Sequence, residues 1–268
     1  MRRRPRSAAG RFRPGRALAG LVGLAGLAAL FELIPRLGLV PARYLPPTSA
    51  IARALVEQAG RRAFWTAVGQ TLFAWAVGLA IAFLAAVLLG LLIGTSRTLR
   101  AYTSSTIEFL RPIPSVALIP LAILIFATGL KSALLLIVYA SFWQVLVQVL
   151  YGVADVDPVA TDTAHSYRFH RLAQLRYVTL PSALPFVLTG LRLASAVALI
   201  LAVTAGLVIG TPGLGAEIAL AQSGGAAPAM YALITVTGLI GVAVNVAVRA
   251  LERRLLFWHP SVRAEVPA

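Results

Sequence analysis

Cysteine is missing from all 268 residues, which excludes disulfides, thiolate metal ligands and cysteine nucleophiles. Lys131 is the only lysine, and no Gly-x-x-x-x-Gly-Lys-Ser/Thr run occurs, so the chain has no loop of its own to cradle ATP phosphates. Histidine is scarce: His165 and His170 lie five residues apart and share no helical face, His259 is remote from both, and no metal site is expected. No Ser/His/Asp arrangement can be drawn, so the chain is not expected to be an enzyme. Only 12% of residues are charged, less than half of the roughly 25% usual in soluble domains. A soluble globular protein is thereby excluded.

Apolar sequence takes the place of charge. Hydrophobic residues make up 59% of the chain and the mean hydropathy is +0.85. Six segments are long and apolar enough to cross a bilayer: Ala17 to Ile34, Ala67 to Ile93, Ile113 to Leu130, Ser132 to Tyr151, Leu184 to Val208 and Met230 to Leu251. The first follows seven arginines with no small-residue cleavage site behind it, and reads as an uncleaved span. Pro112, Pro114 and Pro120 interrupt the third, which requires neighbouring groups to satisfy the freed carbonyls. Between the first two spans, Pro46 to Arg62 opens with Pro-Pro-Thr-Ser and continues amphipathically, predicting a helix on the membrane surface.

The formal net charge of +15 is then a topology signal. One side receives Arg2, Arg3, Arg4, Arg6, Arg11, Arg13, Arg16, Arg97, Arg100, Arg111, Arg168, Arg171, Arg176, Arg249, Arg253, Arg254 and Arg263, a total of 17. The other receives Arg36, Arg43, Arg53, Arg61, Arg62 and Lys131, a total of 6. The positive-inside rule makes the first side cytoplasmic and puts both termini there. The basic excess therefore points to membrane lipid and not to nucleic acid.

The longest hydrophilic stretch between spans runs from Gly152 to Pro181, on the cytoplasmic side. Asp157 followed by Pro158 is a helix start, with the aspartate as N-cap and proline at the first helical position. Counted back from Leu180-Pro181, Asp162-Thr163-Ala164 occupy the place of a Glu-Ala-Ala triplet, and Arg168 the place of a glycine. Further blocks are LPPTSAIARAL from Leu45, RPIPSVALIPLA from Arg111, Val156-Asp157-Pro158, LPSALPFVLTGLRLA from Leu180 and LERRLLFWHP from Leu251.

In these blocks and their order the chain resembles the inner-membrane permease subunits of bacterial ATP-binding-cassette (ABC) importers, in the nitrate, sulfonate and taurine subgroup. The resemblance implies an all-α polytopic membrane protein of six transmembrane helices with the type I ABC importer permease fold. A basic tail (1–16) precedes a six-span domain (17–251) with a coupling loop (152–181), and a second cytoplasmic tail (252–268) follows. It also implies residence in the bacterial inner membrane and a second permease subunit, a homodimer being favoured over a heterodimer. The other implied partners are two cytoplasmic ATPase subunits, which hold the ATP and Mg, and an external substrate-binding protein. The coupling residues carried over are Asp157, Pro158, Asp162, Thr163, Ala164, Tyr167, Arg168, Arg171, Leu172, Leu180 and Pro181. Arg168 departs from the pattern: glycine there suits a left-handed residue ending the helix, so either the helix runs through or the strain is tolerated. An ATP-independent channel or carrier is the rival reading.

Polar side chains within spans face a bundle interior or a cavity. Ser141, Gln144, Gln148, Thr189, Arg192 and Ser195 form the candidate translocation path, and each is equally compatible with interhelical hydrogen bonding. Arg192 has two readings: attraction of an anionic solute, or pairing with a helix end or an acid such as Glu108. Gly90 with Gly94 and Gly206 with Gly210, at helical spacing, predict close helix packing. The glycine-rich segment from Gly210 to Gly215 is assigned to the outer side, where the resemblance implies an outer gate.

Overall fold

The computed structural model describes residues 14–257, and among these every regular element is helical. The basic segment 1–13 and the end of the C-terminal tail, 258–268 with His259 and Arg263, lie outside the described residues. Helix α1 (Pro14–Arg36) is followed by the short α2 (Thr48–Ala59) and the 34-residue α3 (Arg62–Thr95). Ser96 ends α3 and caps α4 (Arg97–Leu110), its Oγ accepting from the Leu99 N–H at 3.3 Å.

Small residues decide how α3 packs. Ala67, Thr71, Ala74, Gly78, Ala82, Ala86, Gly90 and Gly94 are buried, and their spacing of three and four puts them on one face. Against that face lies α6 (Leu130–Ala154). A Cβ added at Gly78 would sit 2.5 Å from Ile137 Cγ2, and one at Gly90 would sit 2.7 Å from Val149 Cγ1. Between helices in lipid there is little hydrophobic driving force, so such close backbone approach supplies the cohesion. On its other side α6 packs antiparallel to α9 (Leu180–Ile209). Gly152 there meets Ala183 and Phe186, Gly190 meets Val145 and Gln148, and the Ser141 hydroxyl donates to Ala194 O at 3.4 Å. Helices α3, α6 and α9 thus form the core, centred on Leu136, Ile137, Val145, Leu146, Ala194 and Ala198.

The expected third span, Ile113 to Leu130, is not a straight crossing. Helix α4 and the arm Ser115–Phe126, which ends in α5 (Ile119–Phe126), form a pair bent by 82°. Pro114 has no N–H to donate to Leu110 O, which accepts instead from the Ile113 N–H at 3.2 Å and from the Tyr139 hydroxyl at 2.7 Å. Tyr139 lies nearer the start of α6 than its end, so the break carries Arg111 away from the α7 end of the bundle, where the sequence count had placed it. Among the described residues four helices are long and apolar enough to cross a membrane, and the bent pair makes a fifth. Helix α1 has 23 residues and at 1.5 Å per residue is about 34 Å long, enough to cross as well.

One end of the bundle is closed by short helices. Surface helix α2 forms where the sequence predicts it and is tied to α1. Thr48 Oγ1 donates to Ala28 O at 2.8 Å, and the Glu32 carboxylate accepts from the Ser49 N–H at 2.8 Å and the Ser49 hydroxyl at 2.9 Å. Helix α10 (Leu214–Ser223) folds back on α9, with the Cα atom of Gly215 only 2.9 Å from where a Cβ on Gly206 would lie. Gly210 does not join Gly206 in helix packing: at φ +78° it is the left-handed cap that ends α9. The buried Thr71 hydroxyl accepts from the Leu214 N–H at 2.8 Å and donates to Ala67 O at 3.0 Å, binding this turn to α3. The last helix, α11 (Ala227–Leu255), runs back antiparallel to α9.

Candidate functional site

The opposite end of the bundle carries the segment with the Asp157-Pro158 start. Its boundaries differ from the expected loop 152–181. Helix α6 continues through Ala154, and from Arg171 the chain is already part of one 39-residue helical run, Arg171–Ile209. That run comprises α8 (Arg171–Gln174), a π-helical turn (Leu175–Thr179) and α9. Leu180 and Pro181 therefore sit inside that run, directly after the π-helical turn, and do not belong to a loop; such a turn is where a helix accommodates a residue with no N–H to donate.

Between them α7 (Pro158–Ser166) stands alone, started as the sequence predicts. The Asp157 carboxylate accepts from the Val159 N–H at 2.8 Å. Asp162 and Thr163 are exposed, while Ala164 is buried at 4% exposure. The helix does not run through Arg168. Arg168 has φ +54°, its N–H donates to His165 O at 2.9 Å, and the Phe169 N–H donates to Ala164 O at 2.9 Å. This is the Schellman pattern with arginine in the left-handed position, so the strain is tolerated. The chain then turns back: His165 and Gln174 share a side-chain hydrogen bond of 3.2 Å, and the Phe169 and Tyr177 rings meet edge to face at 6.3 Å. Val159, Tyr167 and Leu172 are left 70%, 76% and 71% exposed. Arg168, Arg171 and Arg176 of the same segment are exposed as well. Exposed apolar side chains of this size with basic neighbours along the chain make the segment a candidate surface for another protein.

The polar candidates within the spans separate into two groups. Ser141 is buried against Ala194, Gln148 packs on Gly190, and the Thr189 hydroxyl bonds within its own helix to Pro185 O at 2.9 Å; none of the three is in the lining of the cleft described next. Gln144, Arg192 and Ser195 instead meet at a cleft of about 1090 Å³ between α6, α9 and α11. The cleft extends along α9 from Arg192 to Thr204, about 18 Å of helix. Across it, Thr237, Gly241, Asn245 and Arg249 of α11 complete the lining. These four recur at intervals of four residues and so share one helix face, a signal present in the sequence but not used there. Arg192 Nη1 lies 3.4 Å from Glu252 Oε2 on α11, and Glu108 is not its partner. Among the described residues no group of histidines and carboxylates could hold a metal ion.

A helical bundle with an exposed short helix at one end and a polar cleft along α9 is the arrangement to compare with known proteins. Residues 78–257 match the family model "Binding-protein-dependent transport system inner membrane component". The chain is 35% identical to the taurine transport system permease protein TauC of Escherichia coli, with 86% of each chain covered. It is 29% identical to SsuC of Bacillus subtilis, a permease protein named for aliphatic sulfonates transport, over 94% of this chain and 92% of that one. In fold it is similar to a chain of the MetNI methionine ABC transporter in an inward-facing conformation. The TM-score is 0.64 at 18% identity, covering 72% of this chain and 96% of that one. The chain belongs to the family of binding-protein-dependent transport system inner membrane components and is a permease subunit of the ABC importer type.

Proposed function

We propose that this permease forms half of the translocation path for a small anionic solute and is driven through α7 and α8 by a separate ATPase. In this reading the path is the cleft, lined from the earlier candidates by Gln144, Arg192 and Ser195 and on α11 by Asn245 and Arg249. The observation that carries it is the single helical run Arg171–Ile209, which joins the exposed lever to the wall holding Arg192 without a loop between them. Displacing α8 must displace that wall. The names of TauC and SsuC support a sulfonate-like solute.

The remaining assembly follows from the same reading. Helix α1 is the sixth span, and the α7 end with both termini is cytoplasmic, the basic residues Arg97, Arg100, Arg168, Arg171, Arg176, Arg249, Arg253 and Arg254 standing there. A second copy of the chain completes the path. Two ATPase subunits bind at the levers and hold ATP and Mg, and a substrate-binding protein delivers solute at the α2 and α10 end. Substitutions Val159→Asp and Leu172→Asp test the lever. Both side chains are exposed, so the fold should survive, whereas a change at the buried Ala164 would disturb α7 itself. ATPase subunits should no longer be retained by the tagged permease, and uptake should fall at least about tenfold, the cost of placing charge in a docking core. Retention and uptake at wild-type levels in both variants would exclude α7 and α8 as the coupling surface.

A further inference from the structure

Arg192 and Arg249 both line the cleft, yet among the described residues the only acid in contact with either is Glu252, which stands outside the lining and reaches Arg192. That contact is a single Nη1–Oε2 approach of 3.4 Å, well beyond the 2.7–2.9 Å of a strong charge-assisted bond and without the bidentate geometry that arginine prefers. Arg192 is about one-third exposed toward the cleft and Glu252 is less exposed. Gln144 and Asn245 stand nearby as neutral hydrogen-bonding groups, while the buried Ser195 hydroxyl donates to Arg192 O at 2.9 Å. The site thus has two cations, polar neighbours and one loosely held counter-ion.

Building on the importer reading above, we propose that Glu252 is a displaceable counter-ion: a small oxyanion in the cleft takes its place on Arg192. Solute binding and the Arg192–Glu252 contact are then mutually exclusive. With the cleft empty, Arg192 holds Glu252, one tie between α9 and α11. With an oxyanion bound, two or three acceptor oxygens of one tetrahedral or planar group replace the single carboxylate contact, and that tie is lost while the apolar packing of α11 on α9 at Leu199 and Gly241 remains. The rule for the ligand is chemical: an anion with a terminal oxyanion group, such as a sulfonate, binds, and its neutral sulfone isostere does not.

The test uses the full chain, purified in lipid nanodiscs, with ethanesulfonate as probe and ethyl methyl sulfone as the neutral control, binding being read from saturable thermal stabilisation. Wild type should respond to ethanesulfonate only, and less so as salt is raised. Arg192→Gln should weaken binding at least about tenfold. The deciding variant is Glu252→Gln, which frees Arg192 and should tighten binding about two- to fivefold, the range set by a partly exposed ion pair. A gain cannot come from misfolding. Unchanged or weaker binding in Glu252→Gln, no binding of ethanesulfonate by wild type, or equal response to the sulfone would each overturn the proposal. The retention assay at Val159 and Leu172 tests the importer reading independently, so the two can fail separately.

Discussion

Replacing Arg168 by glycine removes backbone strain and almost nothing else. The side chain is exposed, and the left-handed φ of +54° is held by the two main-chain bonds to His165 O and Ala164 O, both of which glycine would keep. An L-residue in that region costs about 1–2 kcal/mol, and the extra freedom of glycine in the opened segment returns roughly 0.5–1 kcal/mol of that. Arg168→Gly should therefore stabilise the closed turn by about 0.5–1 kcal/mol, or roughly two- to fivefold in its opening equilibrium. Arg168→Val should act in the opposite sense, since a β-branched residue is a genuine outlier there.

Hydrogen exchange in nanodiscs reads that equilibrium directly, because the amides of Arg168 and Phe169 exchange only when the Schellman bonds open. Peptides covering 158–174 should exchange two- to fivefold more slowly in the glycine variant, in line with the strain removed, and faster in the valine variant. Peptides from the α9 core around Ala198 should not change. Equal exchange in all three proteins would refute the argument, showing that Arg168 stores no strain in solution.

Two further predictions concern the closed end of the bundle. Thr71→Val keeps the shape but leaves the buried Leu214 N–H without its acceptor; it should destabilise the fold by about 1–3 kcal/mol in SDS-titrated unfolding, and Thr71→Ser should retain most of the stability. Gly215→Ala would put a Cβ 2.0 Å from Val203 O, a backbone atom that cannot yield cheaply; folded protein in detergent should fall sharply, whereas Gly69→Ala, with open space around it, should express normally.

What the sequence made legible was local. Hydrophobic runs located the long helices, because apolar length is what the bilayer demands. The Asp157-Pro158 start could be read because a cap depends on a few neighbouring positions, and the tension at Arg168 because the family resemblance puts a glycine there. The extent of the lever could not be read that way. Hydrophilic residues from Arg171 to Thr179 look like loop, but a helix outside the membrane is under no demand to be apolar, and this one continues into α9 through a π-turn. Likewise the apolar run after Pro112 hides an 82° bend, since hydropathy carries no direction.

Arg192 shows where such reading ends. Its position in an apolar span requires a partner or a cavity, and that much follows from the cost of a buried cation. Glu108 and Glu252 were both available, and spacing along the chain does not choose between them. The choice is made by packing: α11 returns antiparallel beside α9, with Gly241 against Leu199, and this register brings residue 252 level with residue 192. Helix α4, with Glu108, belongs to the bent pair and has no buried residue. A bulky residue at Gly190, 3.1 Å from Gln148 Cβ, would alter the cleft without touching any group that lines it.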